Sequence, residues 1–264
     1  MGKVIAVANQ KGGVGKSTTV VNLAASLGIK GKKVLCIDMD SQGNTTSGFG
    51  IKKKGIEAGV SDVLLGNRRI QDCVLKTAYK NVSVLPTNMD LAGCAYTLAK
   101  MENRNSRLKM QILTCRDDYD YILIDCPPSV DELILNALTA CDSILIPFTC
   151  DFYTMEGMSQ FMETIRRMRQ QLNPSMEIEG VVFTRVDFRL NLTVQVMEEV
   201  RKHFPNKVYK TTIPQNVRIS EAPSHGRPVW YYDKTSKGAT AYMDLCNEFL
   251  KIQKANAKGG VTIG

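Results

Sequence analysis

The sequence predicts an α/β fold: one domain on a mostly parallel, twisted β-sheet with helices on both faces. Short apolar runs alternate with helical patterns along nearly the whole chain, which is how strands joined by crossover helices read in sequence. The first such run leads straight into a glycine-rich loop and then a helical pattern. With 264 residues, 44% of them hydrophobic, the chain can bury a sizeable core within a single domain.

Taken in order, the first strand spans 4–8 and the helix after the glycine loop spans 17–28. A second strand, 33–38, ends at Asp38-Met39-Asp40. The stretch 41–55, rich in Gly, Thr, Ser and Lys, reads as a mobile loop. Strand 82–86 precedes helices at 90–101 and 107–116, and strand 121–125 ends on Asp125 before a helix at 131–141. Strand 143–147, helix 155–172, strand 180–184, helix 193–203, a short strand at 208–210 and a last helix at 238–254 complete the pattern. Residues 1–258 form the expected domain and 259–264 a flexible tail. Four polar or glycine-rich turns, 9–15, 38–43, 125–129 and 148–153, follow strand ends. Ligands of open α/β sheets bind at the carboxyl ends of strands, so these turns should converge on one crevice.

Composition narrows the partners. The net charge of +8 favours a polyanion such as nucleic acid or an anionic membrane. No run of about eighteen apolar residues occurs, and the chain opens directly into a strand rather than a cleavable leader, so a cytoplasmic location is expected. Eight cysteines are scattered without a C-x-x-C pair and read as reduced, structural thiols.

The octapeptide Lys11-Gly12-Gly13-Val14-Gly15-Lys16-Ser17-Thr18 reads as a phosphate cradle. Its glycines let successive N–H groups turn toward one anion, and the following helix directs its positive end there. Lys16 is placed to reach the β- and γ-phosphates and Ser17 to ligate Mg²⁺. The usual P-loop asks for Gly at position 10; here Gln10 stands there and Lys11 opens the loop. Two lysines in one loop cannot both approach one γ-phosphate, so one of them is expected to serve the nucleotide of a partner subunit. Asp125, ending an apolar strand, suits a carboxylate that holds Mg²⁺ through water. Asp38 and Asp40 point to the same side if their strand continues. The expectation is that Asp40 orients the attacking water and Asp38 supports the metal shell, with the reverse assignment left open.

The chain resembles the ParA/Soj partitioning ATPases, within the wider family that includes MinD. The residues that carry the resemblance are 11–18, 38–44, 125–129, 136–140 and the block 213–226, Ile-Pro-Gln-Asn-Val-Arg-Ile-Ser-Glu-Ala-Pro-Ser-His-Gly. The resemblance implies a P-loop ATPase that binds ATP and Mg²⁺, pairs into a homodimer when ATP-bound, binds double-stranded DNA without sequence preference, and is stimulated by a ParB/Spo0J-type partner at the nucleoid. It makes Lys11 the lysine acting in trans, Lys16 the Walker lysine and Gly13 the glycine at the dimer face. It also implies that Pro214 and Asn216 border the adenine, although a turn or helix cap accounts for that segment almost as well, and that Arg189 and Arg218 contact DNA. Arg166, Arg167, Arg169, Lys251, Lys254 and Lys258 either extend that surface or are a solvated helix face.

Three positions depart from the family pattern: Ser41 for a common proline, Asp131-Glu132 for a more apolar pair, and Gln215 for a common basic residue. Slow turnover is expected, because no arginine is evident that reaches the phosphates in cis. Three other readings compete. A MinD-like membrane ATPase would need an amphipathic C-terminal helix, whereas the end here is small and polar, with Phe249, Leu250 and Ile252 expected on the sheet. An iron–sulfur reductase would need Cys94 and Cys126 as cluster ligands. A ParA-like regulator of replication initiation would share the same biochemistry.

Overall fold

The computed structural model describes residues 1–129, 131–150, 154–257 and 259. The chain runs β1 (Lys3–Val7), α1 (Lys16–Ile29), β2 (Val34–Asp38), α2 (Asn44–Gly48), α3 (Val60–Leu65), α4 (Ile70–Cys73), β3 (Leu75–Lys76), β4 (Val82–Leu85), α5 (Leu91–Leu98) and α6 (Arg107–Leu113). It continues with β5 (Tyr121–Asp125), α7 (Glu132–Ala140), β6 (Ser143–Thr149), α8 (Thr154–Gln171), β7 (Glu177–Thr184), α9 (Asn191–His203), α10 (Val217–Glu221), α11 (Val229–Tyr232) and α12 (Lys237–Ala257). The seven strands form one sheet in the order β3-β4-β2-β5-β1-β6-β7, parallel except for the antiparallel edge strand β3.

Successive strand residues face opposite sides, and both sides are covered. On one face Val4, Ala6, Leu35 and Ile37 join a core with α3, α5, α6, α7, α8 and α9. On the other, Ile5, Val7, Val34 and Cys36 pack against α1, α11 and α12. The apolar residues near the chain's end belong to this second core. Tyr242, Leu245 and Phe249 are buried, Leu250 and Ile252 pack at its edge, and the Phe249 ring meets Tyr121 edge-on at 5.1 Å. Among the described residues no helix is long and apolar enough to cross a membrane.

The two-face pattern of burial produced the expected order of long elements, with ends shifted by a few residues. Two expectations were wrong. Residues 208–210 form no strand, because Val208 makes only a single parallel bridge to Val181 before the chain turns away. The stretch 41–55 is not a mobile loop, since it contains α2, whose Thr45 and Thr46 are completely buried. Gly, Thr and Ser signal a loop only when their polar groups face water; here those groups bind buried carboxylates. The small elements α3, α4, β3, α10 and α11 were not anticipated, being too short for a periodic signal. All eight cysteines are free thiols; Cys94 and Cys126 are both buried in the same core. Residues 260–264 of the expected 259–264 tail, together with Lys258 and the turn residues 151–153, lie outside the described residues.

Candidate nucleotide site

The cradle stands between β1 and α1. Beyond β1, Ala8 N–H donates to the Leu145 carbonyl at 3.1 Å and the Asn9 amide to the Pro147 carbonyl at 2.8 Å, so β6 fixes the loop's entry. Gly13 and Gly15 adopt φ of +75° and +85°, a region that a side chain makes costly, which is why these turns need glycine. Gly15 is the residue before α1 and gives no side-chain cap, and the first turn of α1 carries no acidic residue. The N–H groups there are left for an anion, which the helix dipole favours. By contrast, α7 is capped by its own sequence: Asp131 accepts from the N–H groups of Leu133 and Ile134 at 3.0 and 3.3 Å. That departure from the family pattern therefore has a local structural role as an N-cap.

Lys16 is only 6% exposed, and its ammonium donates to the Lys11 carbonyl at 3.1 Å. Burial lowers its pKa, opposed by the charge of Asp125. Lys11 is half-buried at the mouth of the loop, its N–H held by the Asn9 side chain at 3.0 Å. On the far side, β7 grips the cradle: the Thr184 hydroxyl donates to the Val14 carbonyl at 2.8 Å.

Three aspartates gather beside the loop. Asp38 and Asp125 end adjacent strands as register partners, and Val7, at the start of the loop segment, pairs with Asp125 on the other side. Both carboxylates are fully buried. Asp38 accepts from the N–H and hydroxyl of Thr46 at 2.7 and 2.6 Å, and Asp125 from the Thr45 hydroxyl at 2.8 Å. Burial, and for Asp125 the charge of Asp38, raise the pKa of Asp125 to about 8; burial raises that of Asp38 to about 6. Asp40, at the edge of the cluster and 9% exposed, accepts from Gln42 N–H at 2.9 Å.

This arrangement fits a hard divalent cation. Asp125 Oδ1 is buried with no hydrogen-bond partner among the described residues, and buried carboxylates favour a neighbouring positive charge. Ser17, which lines the cleft, and Asp125 are the residues that could hold such a cation. Asp38 has one oxygen occupied by Thr46 and is fully buried.

A cleft of about 660 Å³ opens over the cradle, lined by Gly12, Lys16, Ser17, Thr18, Asp40 and Pro127 among others. All four anticipated turns were expected to meet; the first three do, and the fourth, 148–153, lies partly outside the described residues. The far wall comes from Ala222, Pro223 and Arg227. Pro214 lines a shallow depression against α12, and Asn216 caps α10 by accepting from Arg218 N–H at 3.1 Å. Arg189 and Arg218 both lie at the surface, away from the cleft lining. Arg189 pairs with Asp187 at 2.5 Å, and Arg218 with Glu221 and Asp233 at 2.8 and 3.3 Å. Sequence reasoning missed Thr45, Thr46 and Thr184. Their roles depend on which carboxylate or carbonyl folding brings to them, and no local pattern marks that.

The AAA domain family matches residues 2–178. The chain is 50% identical over 248 residues to the sporulation initiation inhibitor protein Soj of Bacillus subtilis, covering 94% of this chain and 98% of that one. The chain belongs to the ParA/Soj family. It is also 45% identical over 251 residues to the chromosome partitioning protein ParA of Myxococcus xanthus, covering 95% of this chain and 89% of that one. Among solved structures, cobyrinic acid a,c-diamide synthase of Mycobacterium smegmatis with bound ATP analogue and magnesium superposes with a TM-score of 0.85 at 32% identity, over 97% of each chain.

Replacing Lys16 by Ala should abolish nucleotide binding, read as loss of fluorescent-ATP binding with an unchanged circular dichroism spectrum. Thr46→Val removes the hydroxyl that donates to Asp38, leaving only the N–H, and should destabilise the fold by about 1–3 kcal/mol in urea unfolding. Thr46→Ser, which keeps the hydroxyl, should recover most of that stability.

Proposed function

We propose that this ATPase of the ParA/Soj family is an ATP-dependent dimerisation switch serving segregation of a chromosome, plasmid or mobile element. Two ATP-bound subunits pair face to face over their cradles, and the pair binds double-stranded DNA without sequence preference. A ParB/Spo0J-type partner accelerates the slow hydrolysis and resets the switch at the nucleoid.

The observation that carries this reading is the open outer face of the cradle. Among the described residues, a Cβ added to Gly12 or Gly13 would meet nothing within 4 Å, although Gly13 holds a left-handed conformation. The loop therefore presents bare backbone where a second subunit can approach. Lys16, drawn under the loop, serves the nucleotide in cis; Lys11, at its mouth, serves the opposing one. When bound, Mg²⁺ on Ser17 and Asp125 neutralises charge at the phosphates. Asp40, nearer the cleft than Asp38, orients the attacking water.

DNA contact is assigned to Arg189 and Arg218. Their present partners are carboxylates in exposed pairs, which contribute little to stability, so exchanging them for phosphates costs little. The net charge of +8 supports a polyanionic partner. A membrane role is less well supported, because Tyr242, Leu245 and Phe249 of the last helix are used up in the core.

Gly13→Val should retain ATP binding yet remain monomeric with a non-hydrolysable analogue, and light scattering showing a normal dimer fraction would remove the face-to-face assignment. Replacing Arg189 and Arg218 together by Ala should weaken binding to every DNA sequence alike. The slope of log affinity against log salt should fall by about 0.9 for each phosphate no longer neutralised. Unchanged plasmid co-sedimentation would take both residues off the interface.

A further inference from the structure

Arg185, immediately beyond β7, adopts φ +54°, the left-handed region that an arginine rarely enters. The hydrogen bonds around it show why. Ile213 N–H donates to the Phe183 carbonyl at 2.8 Å, and Val186 N–H donates to the Ile213 carbonyl at 3.0 Å. A regular parallel ladder would return to residue 185, not 186, so one extra residue is inserted and Arg185 is bulged out of line. Bulges of this kind re-aim a side chain, and they gather beside active sites. Here the guanidinium is turned onto the cradle, donating to the Gly13 carbonyl at 3.5 Å.

That hydrogen bond is at the outer limit of length. The cradle is already gripped from β7 by Thr184 on the Val14 carbonyl at 2.8 Å, so a local clamp does not explain the bulge. Arg185 is solvent-exposed, and it takes part in no ion pair among the described residues, unlike Arg189 and Arg218. It sits beside Gly13, where an added Cβ would meet nothing within 4 Å among the described residues. Two copies approaching over the cradle each bring an exposed Arg185 guanidinium. Without nucleotide these like charges oppose pairing across distances shorter than the Debye length. A triphosphate on each side reverses the sign of the interaction.

We propose that Arg185 is a second cation acting in trans, whose guanidinium leaves the Gly13 carbonyl to bind the triphosphate of the opposing subunit. This rests on the face-to-face dimer proposed above. In that dimer Arg185 makes pairing depend on the nucleotide's charge, as a donor fork suited to phosphate oxygens.

The test compares the parent with Arg185→Gly and Arg185→Lys. Glycine accepts the left-handed backbone, so the first variant removes the charge without disturbing the bulge. Analytical ultracentrifugation with a non-hydrolysable ATP analogue and Mg²⁺ gives the half-dimerisation concentration, and a fluorescent ATP analogue at high dilution gives the monomer's nucleotide affinity. Arg185→Gly should raise the half-dimerisation concentration tenfold or more while monomer affinity stays within about twofold, and Arg185→Lys should fall between it and the parent. Equal dimerisation of Arg185→Gly and parent overturns the proposal while leaving the dimer reading intact. Loss of monomer affinity in Arg185→Gly overturns it in favour of a role in cis. A parent that stays monomeric with the analogue overturns the dimer reading itself, and the trans role with it.

Discussion

Two carboxylates buried side by side at the ends of β2 and β5 are the constraint around which the rest of the molecule is arranged. Asp38 and Asp125 are register partners with no exposure to water, and burial holds both above the usual carboxylate range. Like charges at such a place are tolerated only if donors and cations surround them. The donors are Thr45 and Thr46, both in the helix 44–48. Among the described residues Lys16, itself nearly buried, brings a positive charge to Asp125. One oxygen of Asp125 has no hydrogen-bond partner among the described residues, an arrangement that fits a divalent metal.

The same matching of polar groups separates the two helices that flank the cleft. The start of α7 is satisfied by its own Asp131, whereas α1 starts from a left-handed glycine with no cap and no acidic residue. One helix is closed and the other is kept open for phosphate. Gripping the open loop falls to strands distant in sequence: β6 through Asn9 at one end and β7 through Thr184 at the other. A cradle held from both sides does not need to reorganise when it meets its anion, which is the preorganisation that phosphoryl transfer depends on.

Arginines show how far position overrides residue type. Arg189 and Arg218 are tied to neighbouring carboxylates by bonds that are strong in geometry and weak in free energy, being exposed. Arg185, four residues before one of them, is instead turned by a one-residue bulge onto the nucleotide loop. Nothing in the local sequence distinguishes the three.

The sequence by itself determined the sheet-and-helix order, the phosphate loop and the carboxylates at strand ends, because each is written in consecutive residues: apolar runs, glycines at required turns, an aspartate closing a strand. The family is equally local, carried by blocks such as 11–18 and 213–226. Tertiary structure alone decided that 41–55 is ordered, that 208–210 stays outside the sheet, that Pro214 lines a depression against α12 while Pro223 lines the cleft, and that Arg185 faces Gly13. Each of these depends on a hydrogen-bond partner or a packing neighbour far away along the chain or on ladder register, and neither is encoded in the periodicity of a short segment.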